Sequence, residues 1–220
     1  MVIMPKSKQQ TDWPKELKPL IRKYKGRKHP LHHKNNYQLL VVVLLSARST
    51  DVHINEIAPA FFRKYPGFSE LAKAKAPQLK KFIGTVTNWN HKAKWLIEIS
   101  RRLSSSEFPL DLESLVQLPG IGRKSANVIK KEAGADAEGI IADLHVARVA
   151  QRLGIAKSSN ADKIEEEMMR IIPQKMWNEA GMALSFLGRE ICTAKKPQHE
   201  KCILKNVCTF YSSDHNSSQA

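Results

Sequence analysis

Residues 118–126 read Leu118-Pro119-Gly120-Ile121-Gly122-Arg123-Lys124-Ser125-Ala126, and this stretch decides the fold of the chain. Two glycines let the backbone turn tightly and bring N–H groups close to an anion, and a helix that begins here points its positive end at the same place. Apolar residues before and after the turn predict helix, hairpin turn and helix over 112–131. A simple helix-helix corner is the alternative. Four basic neighbours favour phosphate binding instead: Arg123, Lys124, Lys130 and Lys131.

The net charge indicates a polyanionic partner. The 220 residues include 36 Lys and Arg against 21 Asp and Glu, a formal charge of +15. Such a field attracts polyanions, so we expect nucleic acid rather than a membrane surface. The longest apolar run, Leu39 to Leu45, is too short to span a bilayer, and no basic amphipathic anchor stands out. Because Met1 to Lys18 has no apolar export signal, a cytoplasmic, nucleoid-associated location is expected.

Helical periodicity dominates the chain. Apolar residues follow one helical face in five segments: Trp13 to Tyr24, Val52 to Tyr65, His91 to Leu103, Ala161 to Ile172 and Asn178 to Ile191. Tyr37 to Ala47 is ambiguous, because Val41-Val42-Val43 favours a strand by propensity. No second convincing strand could pair with it, so we predict a buried helix and an all-α fold.

The cysteines point to a metal. Cys192, Cys202 and Cys208 all lie in the last 30 residues. An odd number of cysteines in a chain without an export signal argues against a disulfide framework. We therefore expect them to be metal ligands.

Taken in order, these motifs resemble the helix-hairpin-helix DNA glycosylases, and endonuclease III most closely. The resemblance runs from about Leu17 to Tyr211 and rests on these elements: Leu44-Leu45-Ser46-Ala47, Thr50-Asp51, Asn90, Lys92-Ala93, Leu118 to Asn127, Asp143, His145, Arg148-Val149, Gly188-Arg189, Lys196-Pro197 and the cysteines. It implies a six-helix barrel domain at 33–137 that carries the hairpin. It also implies a second domain, made of 1–32 and 138–220, that carries a metal-cluster loop. The implied partner is double-stranded DNA with a damaged base or an abasic site, bound by a monomer in the cleft between the domains.

The chemistry of base excision needs an anion and a nucleophile. Positive charge develops at C1′ of the sugar as the base leaves, so an anion is wanted near the sugar and a nucleophile opposite. The resemblance assigns Lys124 to a Schiff base followed by β-elimination, and Asp143 to lysine deprotonation and stabilisation of the sugar cation. A first-turn position disfavours the ammonium form of Lys124. The alternatives are a surface charge for Lys124 and an N-cap of the helix 144–153 for Asp143, and the cap is compatible with catalysis.

Extrusion of a base also leaves a gap that the protein must fill. Family members fill it from two loops, with glutamine in the first and Gly-Leu-Tyr-Asn in the second. Here the matching residues are Arg48 and Thr87-Asn88-Trp89-Asn90. We therefore predict that Arg48 and Asn88 contact DNA and that Trp89 lies in the core, with a surface arginine as the alternative for Arg48. These changes leave the preferred lesion unassigned. His145 matches the family residue near the partner of the extruded base, with a helix-surface histidine as the alternative.

The spacing at the carboxyl end is Cys192-x6-His199-x2-Cys202-x5-Cys208, where endonuclease III has four cysteines around a [4Fe-4S] cluster. We predict a [4Fe-4S] cluster with Cys3His ligation, because histidine also ligates iron. A closed Cys3His zinc site and a metal-free set of thiols are the alternatives. The loop would bring Lys195 and Lys196 to DNA phosphates.

The predicted function is that of a bifunctional DNA glycosylase and abasic-site lyase of base excision repair, with a damaged pyrimidine as substrate. A mismatch or deaminated-base glycosylase of the same fold is one alternative. Lys124 counts against the adenine-specific branch of the family, which generally lacks a lysine there. A non-catalytic DNA-binding relative is the other alternative, suggested by the changes at residues 48 and 88.

Overall fold

Every regular element found between residues 11 and 217 is helical. The computed structural model describes the backbone of these residues and the side chains of 11–213. The helices are α1 (Trp13–Tyr24), α2 (Asn36–Ser46), α3 (Asp51–Lys64), α4 (Phe68–Ala72), α5 (Ala76–Ile83), α6 (Trp89–Leu103), α7 (Leu112–Val116), α8 (Arg123–Glu132), α9 (Leu144–Leu153), α10 (Ala161–Ile171), α11 (Trp177–Glu190) and α12 (Thr209–Ser217). Short 3-10 turns occupy 174–176, 199–201 and 205–207. The expectation of a cytoplasmic location was drawn from residues 1–18, and most of these lie outside the described residues.

The chain divides into two compact units. The hairpin unit is Arg27–Glu138, and the terminal unit combines Met1–Gly26 with Gly139–Ala220. In the hairpin unit, α2 packs against α3, α6 and α8, while α6 contacts α4 and α5. In the terminal unit, α9 contacts α10, α11 and α12, and α1 packs on α11.

Helix α2 is apolar on all sides, and it forms the centre of the hairpin unit. Residues 39–45 are all buried. A helix without a polar face must be surrounded by other elements, which explains why valine propensity did not decide its structure. The Asn35 side chain caps the helix by accepting a hydrogen bond from the Gln38 N–H, at 2.9 Å.

Three helices lie where no periodicity predicts them. Helices α4 and α5 are five and eight residues long, too short to show a clear repeat. They are held by the burial of Leu71, Leu79 and Ile83. Helix α12 continues to Ser217 although its sequence is polar. Tertiary packing therefore creates helices that local pattern alone does not indicate.

Two glycines bring the start of α9 close to α11. A Cβ at Gly181 would lie 3.1 Å from the Ile141 nitrogen, and one at Gly188 would lie 2.9 Å from the His145 Cβ. Gly181 and Gly188 are seven residues apart, so both lie on one face of α11. Segment 140–149 therefore rests directly on that face. Within residues 11–217, no helix has both the length and the apolarity needed to cross a bilayer.

Candidate functional site

The hairpin turn joins α7 to α8 at residues 117–122. Gly120 has a φ of +80°, and a Cβ there would lie 2.4 Å from the Trp95 ring, so only glycine fits. Gly122 is extended, with a φ of −87°, and serves as the N-cap of α8. The prediction that both glycines are needed for the turn is therefore right for Gly120 alone. Leu118 is buried, so only its backbone is available to a ligand.

Lys124 is the second residue of α8 and is exposed to solvent. Arg123 precedes it and donates from Nη2 to the Glu138 carbonyl at 3.3 Å. The first-turn N–H groups of a helix have no partner within that helix, and the helix dipole is positive at this end. The turn thus places an exposed amine beside a set of anion-binding N–H groups.

Arg48 and Asn88 share an unusual backbone conformation. Among the described residues, they are the two non-glycine residues with positive φ, at 60° and 57°. Both side chains are exposed. The Thr87 hydroxyl donates to the Arg48 carbonyl at 3.1 Å and so joins the two loops. Strained backbone of this kind persists only where the surrounding structure holds it, and it is concentrated at binding sites.

Lys92 supports the Arg48 loop from below. It is 3% exposed, and its Nζ donates to the Leu45 carbonyl at 2.8 Å and to the Ala47 carbonyl at 2.6 Å. These oxygens lie at the end of α2, where carbonyls lack helical partners. Burial, together with the charge of Arg48, lowers the pKa of Lys92 to about 8.

Trp89 is only partly buried and lies at the edge of the core rather than within it, which corrects the core prediction. The Lys80 ammonium lies 5.7 Å from its ring centroid. The ring is therefore at the surface beside Asn88, stabilised by a cation–π contact.

Asp143 caps α9, as the sequence predicts. Its Oδ1 accepts hydrogen bonds from the backbone N–H groups of His145, at 2.9 Å, and Val146, at 2.8 Å. Its Oδ2 accepts from the Ser185 hydroxyl at 2.7 Å, and Arg189 Nη2 lies 3.7 Å away. Both carboxylate oxygens are thus held, one by backbone and one by α11.

His145 lies in the first turn of α9 and is partly buried. Burial lowers its pKa, and the neighbouring Arg189 and Arg148 lower it further, against the opposing charge of Asp143. Arg148 Nη2 lies 3.3 Å from His145 Nδ1. The ring is therefore part of the polar cluster at the start of this helix.

The four predicted metal ligands line one pocket. Cys192, His199, Cys202 and Cys208 all contribute to it, together with Arg152 and Phe210. Three thiols and one imidazole are suitable donors for iron in a cluster or for zinc. Among the described residues, no three such side chains are already gathered around one point. The donor set fits a metal group, and the Cys3His ligation stays a prediction.

Two arginines of α9 hold the start of the cysteine loop. Arg148 Nε donates to the Cys192 carbonyl at 3.1 Å. Arg152 donates to the Thr193 and Ala194 carbonyls at 2.8 and 2.9 Å, and its Nη1 lies 3.3 Å from Cys192 Sγ. Helix α9 is therefore capped by Asp143 at its N-terminus, and its two arginines bind the start of the cysteine loop.

Lys195 and Lys196 are exposed on this loop. The loop is closed by a hydrogen bond from the Thr193 hydroxyl to the Lys196 carbonyl, at 2.8 Å. This hydrogen bond therefore fixes the backbone that carries both amines.

Sequence reasoning missed four residues that support the site: Thr87, Lys92, Arg152 and Ser185. Each acts on a residue about 40 positions away. Lys92 belongs to a motif of the resemblance, which gives it no role, and nothing local distinguishes Ser185.

Comparison with known proteins defines the family. Residues 41–174 match the HhH-GPD superfamily base excision DNA repair protein, and residues 192–208 match the iron-sulfur binding domain of endonuclease III. The chain belongs to this superfamily.

Relatives narrow the assignment further. Endonuclease III of Synechocystis is 34% identical over 192 residues, covering 86% of this chain and 88% of that protein. Endonuclease III of Escherichia coli K12 is 31% identical, covering 89% and 95%. A solved non-covalent endonuclease III-DNA complex superposes with a TM-score of 0.83 at 29% identity, covering 91% of this chain and 95% of that one. The protein is an endonuclease III-like DNA glycosylase of base excision repair.

Proposed function

We propose that this enzyme is bifunctional: it removes a damaged pyrimidine from double-stranded DNA and then cleaves the strand at the resulting abasic site. The observation that carries the proposal is the exposed amine of Lys124 in the first turn of α8, beside the hairpin. The resemblance of most of the chain to endonuclease III supports it, because related proteins were solved in complex with DNA, one of them as a trapped covalent intermediate. Its test is covalent trapping at Lys124.

The proposed reaction balances without an external oxidant or reductant. The neutral Lys124 amine attacks C1′, and the glycosidic bond breaks with its electron pair leaving on the base, which takes up a proton. Opening of the sugar ring gives a Schiff base between Nζ and C1′. Loss of a C2′ proton then expels the 3′ phosphate by β-elimination, and water releases the lysine. In the role that the resemblance implies, Asp143 assists deprotonation of the lysine and stabilises positive charge at the sugar.

The hairpin and the cysteine loop would position the DNA. We assign backbone N–H groups at Gly120 and Gly122, with Arg123, to phosphates on one side of the lesion. Lys195 and Lys196 would contact phosphates through charge. These contacts fix register and carry no sequence information.

Binding should therefore depend steeply on salt. With about four phosphate contacts, raising salt from about 50 to about 200 mM should weaken duplex binding on the order of 100-fold. Replacing Lys195 and Lys196 together by alanine should reduce the log–log slope by about 2. The matched control is the double change of Lys157 and Lys163, two exposed lysines of the same unit, to alanine. Fluorescence anisotropy measures both slopes, and a flat response in the unmodified protein would contradict the phosphate model.

Arg48 is proposed to read the base left without a partner. Its backbone is held by Thr87, and its side chain is exposed. Arginine pairs in a bidentate manner with guanine, whereas glutamine, the usual family residue, pairs with adenine. One related solved structure is an estranged-adenine complex. We therefore assign guanine as the preferred opposite base, which makes a damaged cytosine the favoured lesion.

Arg48→Gln should move this preference toward adenine. The ratio of single-turnover excision rates, guanine-opposed over adenine-opposed, should fall by at least about fivefold, since one bidentate pair is worth roughly 1–3 kcal/mol. The control is Arg63→Gln, at an exposed arginine of the same unit. An unchanged ratio in Arg48→Gln would show that this side chain does not contact the estranged base.

An iron-sulfur cluster is proposed to be held by Cys192, His199, Cys202 and Cys208. When bound, it would supply a rigid anchor for the loop at 192–208 and no step of base excision. The closure of the loop by Arg148 and Arg152 supports a structural task.

A further inference from the structure

Asp143 is held from two sides, and only one of them is the helix it caps. The Oδ1 atom accepts the two N–H groups at the start of α9. These two hydrogen bonds engage Oδ1 only, so the cap by itself does not determine the partner of Oδ2. The contacts that fix Oδ2 come instead from α11, from Ser185 and Arg189.

Ser185 is built into a face that favours this contact. It is 3% exposed and lies four residues after Gly181 and three before Gly188, so the three share one face of α11. The glycines permit the close approach of segment 140–149, and the serine hydroxyl is the polar group on that face. Its O–H donates to Asp143 Oδ2 at 2.7 Å, while its oxygen accepts from Arg189 Nε at 3.4 Å. The donor and acceptor capacities of the hydroxyl are thus both used.

The arrangement has a clear consequence for the carboxylate. A hydrogen bond to a charged group is about twice as strong as one between neutral groups, and it is directional. Arg189 alone lies 3.7 Å from Oδ2, which is an ion-pair distance without fixed direction. The Ser185 hydroxyl is therefore the group that fixes the orientation of the second oxygen.

We propose that Ser185 is a positioning residue for Asp143: its hydroxyl, oriented by Arg189, aims Oδ2 in the direction the reaction requires. The inference rests on the proposed role of Asp143 in catalysis. Ser185 acts through Asp143 and touches no part of the substrate. The effect should appear in the rate of the chemical step and not in DNA affinity.

Ser185→Ala should slow single-turnover borohydride trapping on abasic-site DNA by about tenfold. The dissociation constant for a duplex that carries a tetrahydrofuran abasic analogue should stay within about twofold. The matched control is Ser100→Ala, since Ser100 is 1% exposed and its hydroxyl has no hydrogen-bond partner among the described residues. That variant should trap at the unmodified rate.

A double-mutant cycle separates positioning from general damage to the fold. In the Asp143→Asn background, adding Ser185→Ala should cost less than about twofold, because the hydroxyl no longer has its carboxylate to orient. An equal tenfold loss in both backgrounds would overturn the proposal. Ser185→Cys keeps the shape with a much weaker donor, and it decides the matter if the alanine variant fails to fold. A cysteine variant that traps at the full rate would also overturn it.

The same experiment separates a failure of the proposed function from a failure of the role proposed for Ser185. If Lys124→Gln and Asp143→Asn themselves trap normally, the proposed function fails. If both are impaired while Ser185→Ala behaves like Ser100→Ala, the function stands and only the role of Ser185 is wrong.

Discussion

Lys124→Gln is expected to abolish the covalent adduct that sodium borohydride traps between the protein and abasic-site DNA. Glutamine has nearly the same length and keeps the first turn of α8, but its amide cannot form a Schiff base with C1′. The loss should reach at least about a thousandfold, because no other nucleophile replaces the amine. Denaturing gel electrophoresis after borohydride reduction measures the adduct.

Lys163→Gln is the matched control for this change. Lys163 is likewise an exposed lysine in the first turn of a helix, α10. It should trap at the unmodified rate, and both variants should bind the tetrahydrofuran duplex. Persistence of the adduct in Lys124→Gln would remove the assignment of the nucleophile. Tight binding by the unmodified protein without any adduct would favour the non-catalytic DNA-binding alternative.

Cys208→Ser is expected to strip the protein of iron and to destabilise the terminal unit. Cys208 is buried, and its pocket neighbours come from α9, α11, α12 and the loop at 192–208. Burial raises the pKa of the Cys208 thiol, so the uncharged form is favoured in the pocket without a metal. Metal binding is coupled to folding, and the stability lost with the cluster is therefore large. Iron analysis, visible absorption and thermal unfolding measure the effect.

Variants at His199 test the fourth ligand. His199→Ala should lose most of the iron, whereas His199→Cys should keep it and lower the reduction potential, because a thiolate adds negative charge. His32→Ala, at an exposed histidine of the hairpin unit, serves as control and should retain full iron. Full iron in His199→Ala would exclude histidine ligation. A colourless protein that contains zinc without iron would exclude the cluster.

Disorder of the loop at 192–208 should also disturb the position of Asp143. Arg148 and Arg152 connect α9 to residues 192–194, and the first turn of the same helix is capped by Asp143. A disordered loop removes the Cys192 carbonyl from Arg148 and the Thr193 and Ala194 carbonyls from Arg152, so that of its backbone acceptors Arg148 keeps only the Gly188 carbonyl on α11. The metal loop and the carboxylate are therefore coupled through one helix.

Local patterns in the sequence determined most of the helices and the principal side chains of the candidate site. Helix α1 has the predicted bounds, Trp13–Tyr24, and Asp143 caps α9 as its position before an apolar repeat indicates. The hairpin was predictable because the turn needs the positive φ that Gly120 supplies, and short apolar helical faces flank it on both sides. These features depend on residues within one or two turns of each other, which is the range that periodicity and capping report.

The tertiary structure alone decided which distant groups hold those side chains in place. Ser185 reaches Asp143 across 42 residues, Lys92 reaches the Arg48 loop across 45, and Arg152 reaches Cys192 across 40. It also set the positive φ of Arg48, a conformation that local preference disfavours. Such contacts form only when helices pack, because each buried polar group must find a hydrogen-bond partner. Sequence spacing does not predict which distant residue that partner is.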